Sequence, residues 1–94
     1  MDRTNRLNQL CQALAKLGSA EDITMFLEDL CTPAEVQAMA DRWHVAQLLQ
    51  EGIPYRKINE LSGVSTATIT RVARCIAYGA GGYKAALSKQ ETTT

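Results

Sequence analysis

Ninety-four residues hold one small domain, and a chain this short leaves so much surface in water that a partner is to be expected. Its 46% hydrophobic and 21% charged content excludes a disordered, collagen-like or disulfide-dense chain. Ten Lys/Arg balance ten Asp/Glu, an average that speaks against a uniformly basic nucleic-acid binder.

The average conceals an asymmetry. Residues 1–54 carry four Lys/Arg against eight Asp/Glu, a net of −4, whereas residues 55–94 carry six against two, a net of +4. A polarity of this kind points to a polyanionic partner for the C-terminal part. No apolar run approaches the roughly 20 residues that cross a bilayer, and the first residues open no signal-peptide pattern, so the sequence reads as cytoplasmic. Cys11, Cys31 and Cys75 are odd in number and lack the close pairs of zinc ribbons or redox loops, so they read as buried, reduced thiols.

Helical periodicity runs through the chain without any sustained two-residue alternation, which predicts an all-α fold. Leu7, Leu10, Cys11, Leu14 and Leu17 make one stripe of a first helix over residues 4–17, with Gly18 as a left-handed stop. Ser19 and Asp22 resemble a capping box, and Ile23, Phe26, Leu27 and Leu30 form the stripe of a second helix. Thr32-Pro33-Ala34-Glu35 is a stronger start, combining a cap, a proline at the first position and a glutamate that reaches back, and this third helix stops at Gly52. Its apolar residues lie on two sides: Val36, Met39, Ala40, Trp43 and Ala46 on one, Val45, Leu48 and Leu49 on another. A helix apolar over so much of its circumference needs more cover than a 94-residue chain provides, which predicts an obligate dimer with residues 1–53 as its core.

Residues 54–78 read as a helix-turn-helix. A short helix after Pro54 carries Ile58 and Leu61 inward and breaks at Gly63, where a sharp turn needs a residue tolerant of positive φ. Val64 plugs the angle, and Ser65 caps a second helix whose inward positions are Ile69, Val72 and Ile76, ending before Gly79. The other face of that helix opens with Thr66, Ala67, Thr68 and Thr70, short groups that let a helix sink into a major groove, followed by Arg71 and Arg74. Threonine-rich first turns are poor helix formers, which suggests a use other than helix propensity. Asn59 departs from the pattern, since many such motifs place a small residue where the first helix meets the second. Beyond lies a glycine-rich joint and a short helix from Tyr83 to Leu87. The expected organisation is thus one helical domain over 1–88, with 79–88 as its C-terminal short helix and 89–94 as a flexible tail.

Residues 30–76 resemble the Trp repressor family, in particular its shorter YerC/YecD-type branch. The resemblance rests on Leu30-Cys31-Thr32-Pro33-Ala34-Glu35, Arg42, Leu48-Leu49 with Gly52, and above all Ala67-Thr68-Ile69-Thr70-Arg71, and it extends through Tyr78-Gly79 and Gly82-Tyr83. It implies an intertwined helical homodimer with two DNA-reading heads on a palindromic operator. It places Arg56 and Asn59 at phosphate and groove and matches Thr66, Ala67, Thr68 and Thr70 to the base-reading turn; Ser65, Arg71 and Arg74, read from the helix itself, complete the expected DNA-binding set. Thr66 stands where the repressor has a bulky aliphatic residue, and one residue is missing between Gly52 and Ile58. The family's tryptophan pocket carries over as Thr32, Arg42 and Arg71, but Val72 replaces a glycine and Cys75 a serine. A valine there overfills the slot, at a cost of about 1–3 kcal/mol, so the expected pocket is vestigial and tryptophan is not the corepressor.

Other motifs yield no chemistry. His44 has no second imidazole or cysteine at ligand spacing and reads as a satisfied structural histidine rather than a metal ligand. Gly79-Ala80-Gly81-Gly82 lacks the strand before and the Lys-Ser/Thr after that a phosphate loop needs. No nucleophile-base or carboxylate pair supports an enzyme. The reading is a sequence-specific transcriptional regulator, a repressor by resemblance, with double-stranded DNA and a second copy as partners and no cofactor. The alternative is a helix-turn-helix module that docks proteins, distinguished by the absence of salt-dependent duplex binding.

Overall fold

Six helices make up the regular structure among residues 3–92, the part of the chain that this computed structural model describes: α1 (Arg3–Lys16), α2 (Ala20–Leu30), α3 (Pro33–Gln50), α4 (Tyr55–Ser62), α5 (Thr66–Tyr78) and α6 (Gly82–Thr92). Local signals set most of the boundaries. Ser19 Oγ accepts from the Asp22 amide at 3.1 Å and starts α2. At the start of α3 the Thr32 amide donates to Glu35 Oε1 at 2.8 Å while the Glu35 amide donates to Thr32 Oγ1 at 3.2 Å, a reciprocal capping box. The bond from the Thr32 backbone, and then that with its side chain, hold the Glu35 carboxyl below the usual glutamate range. Gly52, at φ 78°, ends α3: its amide reaches the Leu49 carbonyl and the Ile53 amide reaches that of Leu48, the paired bonds of a Schellman stop.

The chain divides into two compact units, Met1–Val36 and Gln37–Thr94, with the division inside α3. In the first unit neither α1 nor α2 buries a residue; Leu10, Leu14, Ile23, Phe26 and Leu27 are half-buried, and Leu7, Met25 and Leu30 are exposed. In the second unit Val45, Ala46 and Leu48 of α3, Ile58 of α4, and Ile69 and Val72 of α5 form one buried cluster. Trp43, Leu49, Ile53, Val64, Ile76 and Tyr83 pack around it. α4 and α6 both pack on α5, so α5 is the element on which the second unit is assembled.

Several expectations need correction. Gly18 does not take a left-handed conformation; α1 closes instead through the Leu17 amide on the Leu14 carbonyl. Leu61 is exposed rather than inward, because Ile58 is the one residue that the eight-residue α4 buries. Cys11 is exposed as well, and Cys31 and Cys75 are half-buried, where all three were expected to be buried. α6 runs to Thr92, past the Leu87 expected as its end, so residues 89–92 of the expected tail are helical. Lys89, Gln90 and Glu91 are good helix formers, and Lys89 sits in the last turn where a cation suits the helix dipole. Positions 1, 2, 93 and 94, which the expected core and tail include, lie outside the described residues. No helix is long and apolar enough to cross a membrane among the described residues.

Candidate nucleic-acid interface

α5 presents opposite chemistry on its two sides. Ile69 and Val72 are completely buried, and Ile76 packs beside them; this inward stripe orients the helix. On the outward side Ala67, Thr70, Arg71, Arg74 and Tyr78, with Cys75 and Gly79, line a shallow open groove of about 380 Å³. Tyr78 is 85% exposed. The sequence reading did not include Tyr78 in this face, although the 67-71-74-78 spacing is that of one helix side.

The first turn of α5 is internally ordered. Ser65 Oγ accepts from the Thr68 amide at 3.2 Å and donates to Thr68 Oγ1 at 3.1 Å. Thr70 Oγ1 donates to the Thr66 carbonyl at 2.9 Å. The Thr70 hydroxyl therefore meets an incoming group with its lone pairs and its methyl rather than its proton. Thr66, Ala67 and Thr70 remain exposed, as do Arg71 and Arg74.

On α4, the Arg56 side chain is 93% exposed; its Nε lies 3.9 Å from Glu60 Oε1, and Lys57 Nζ lies 3.9 Å from Glu60 Oε2. Ion pairs at this distance and exposure hold their cations weakly and release them readily to a phosphate. Asn59 behaves differently. It is half-buried, and its Nδ2 donates to the Val64 carbonyl at 2.7 Å, which commits the amide to the turn. Gly63 caps α4 at φ 74° with its amide on the Asn59 carbonyl, as the sharp turn requires.

Of the residues of the expected tryptophan pocket, Arg71 and Cys75 border one groove, while Arg42 and Val72 have other surroundings in the same unit. Thr32 is the cap of α3. Arg71 lines the outward groove of α5, whereas Arg42 lines a second cavity of about 280 Å³ with Asp41, Ser62, Gly63, Val64, Ser65 and Thr68. Val72 is 1% exposed and belongs to the core. Cys75 and Gly79 border both the outward groove and an apolar cavity of about 380 Å³ lined by Trp43, Tyr83 and Ala86.

A buried-inside, cationic-outside second helix behind a capped glycine turn matches one family over nearly the whole chain: residues 5–91 fit the sequence profile of the Trp repressor protein family. The chain belongs to the Trp repressor family. Among its relatives, the uncharacterized protein YerC of Bacillus subtilis (strain 168) is 43% identical over 91 residues, which cover 97% of this chain and 88% of that protein. Two solved members of the Trp-repressor type superpose closely. A TrpR-like protein from Eubacterium eligens ATCC 27750 is 37% identical at a TM-score of 0.88, covering 95% of this chain and 92% of its own. A candidate Trp repressor from Staphylococcus aureus is 36% identical at 0.87, covering 93% and 87%. Within the Trp repressor fold, then, α4 and α5 are the helix-turn-helix read from the sequence.

Proposed function

We propose that this chain is a transcriptional regulator that binds a palindromic operator in double-stranded DNA as a homodimer, without tryptophan as corepressor. The observation that carries the reading is the outward face of α5, where Thr70, Arg71 and Arg74 stand exposed on a helix pinned from behind by Ile69 and Val72. Arg56, Arg71 and Arg74 neutralise phosphates; Ser65, Thr66, Ala67, Thr68 and Thr70 bring the first turn of α5 to the base edges. Two heads related by a twofold axis read half-sites on centres roughly 34–36 Å apart. The unburied stripes of α1 and α2 support a second copy as their cover. The loss of tryptophan binding rests on the resemblance, in which Val72 and Cys75 stand where the repressor has a glycine and a serine.

The test is selection of duplexes from a random library with the purified chain at two salt concentrations, with and without tryptophan. A palindrome enriched equally in both conditions is the expected result. Enrichment that depends on tryptophan would overturn the reading of Val72, and no enrichment would overturn operator binding. In quantitative binding to the recovered duplex, Arg74→Ala should weaken all sequences alike and flatten the salt slope by about one unit, whereas Thr70→Ala should change which sequences are preferred.

A further inference from the structure

The turn between α4 and α5 holds three side-chain hydrogen bonds within seven residues, 58 to 64. Ser62 Oγ donates to the Ile58 carbonyl at 2.6 Å and accepts from the Val64 amide at 3.1 Å, while Asn59 Nδ2 donates to the Val64 carbonyl at 2.7 Å. Both polar groups of the Val64 backbone are thus held by side chains of α4. A carbonyl only accepts, so the NH₂ end of Asn59 must face it. Val64 in turn packs against the buried cluster and immediately precedes Ser65, the cap at which α5 begins. Asn59 therefore grips the backbone two residues before the helix that carries Thr66 to Arg74.

Resting on the DNA-binding reading above, we propose that Asn59 is a positioning residue that sets the angle at which α5 meets the duplex, and that its side chain does not touch phosphate. Arg56, Arg71 and Arg74 are long cations whose attraction to phosphate survives a small tilt of α5. Thr66, Thr68 and Thr70 are short, and a hydrogen bond or methyl contact to a base edge weakens steeply with misalignment. Loss of the Asn59 clasp should therefore erode discrimination between sequences far more than general affinity.

The experiment compares the full chain with Asn59→Ala and Asn59→Gln on two duplexes: the one recovered by selection with the unaltered chain, and a scrambled duplex of the same composition. Asn59→Ala should narrow the ratio of the two affinities by about tenfold, the scale of one lost hydrogen bond to a half-buried acceptor. Binding to the scrambled duplex should stay within about twofold, since its phosphate contacts are intact. Asn59→Gln, which keeps an amide donor, should regain most of the ratio. A measurement on the unaltered chain stands whether or not the variants fold: the Asn59 side-chain amide protons should exchange slowly with solvent and keep their NMR frequencies when duplex is added. Equal weakening on both duplexes, an unchanged ratio, no recovery with glutamine, or a large shift of the Asn59 amide on adding duplex would each overturn the proposal. If the unaltered chain itself discriminates between no duplexes, the DNA-binding reading falls and takes this role of Asn59 with it.

Discussion

α1 and α2 bury no residue, whereas among the described residues α3 to α6 bury seven: Val45, Ala46, Leu48, Ile58, Ile69, Val72 and Leu87. The two regions do not differ in the quality of their helix signals. Ser19 caps α2 as well as Ser65 caps α5, with bonds of 3.1 and 3.2 Å to the amide three residues on. They differ in what the chain offers for the apolar stripe to pack against. α4 and α6 both lean on α5, and α3 supplies Val45, Ala46 and Leu48 to the same cluster. The lesson is that capping and periodicity produce a helix, while burial requires opposing surface.

The contrast can be broken at its strongest point by Ile69→Ala. Removing a completely buried isoleucine from the centre of the cluster should cost about 2–5 kcal/mol, read from denaturant or thermal unfolding. A loss below about 1 kcal/mol would mean that the second region is not packed as a core. Gly79→Ala comes next. A β-carbon at that position would collide with the Cys75 carbonyl oxygen, so the joint between α5 and α6 must shift, at about 1–3 kcal/mol in the same assay.

Leu7→Ala sharpens the other side of the comparison. Leu7 is 59% exposed, and in an isolated chain its truncation should change stability by less than about 0.5 kcal/mol. With a second copy laid over α1, the loss should rise to about 1–2 kcal/mol, depend on protein concentration, and shift sedimentation toward the monomer. The smallest effect belongs to Glu35→Gln. The folded-state pKa of Glu35 is lowered, so its contribution is complete above the ordinary glutamate value and disappears as pH falls through the folded-state value. The variant should be slightly less stable at neutral pH, where the carboxylate contribution is complete, and converge on the unaltered chain as pH falls below about 4.3, so that its acid limb is flatter. An unchanged acid limb would mean that the capping box of α3 is not populated in solution.

Much of α5 is legible in the sequence. The start of α5 follows from Ser65, its inward stripe from the 69-72-76 spacing, and its polar first turn from the threonines themselves. Three features are not. Leu61 lies at a spacing that should face inward, yet burial depends on whether a neighbour reaches that end of a short helix. Residues 89–92 carry no apolar residue to mark them as anchored, although their helix propensity continues α6. The bond from Asn59 to the Val64 carbonyl is the third, because spacing does not tell a polar side chain that faces solvent from one that reaches a carbonyl five residues on.

The sequence by itself determined what is local in this protein: the all-α class, the capped starts of α2, α3 and α5, and the glycine stops at Gly52 and Gly63, because each depends on backbone groups within a few residues. The charge asymmetry and the polar face of α5 were also fixed there, since both are properties of composition and helical period. The tertiary structure alone decided which apolar stripes are covered, that Val72 serves the core, that Arg42 and Arg71 line different cavities, and that Asn59 is spent on the turn. Those outcomes depend on which surfaces meet across long stretches of chain, and neither periodicity nor propensity carries that information.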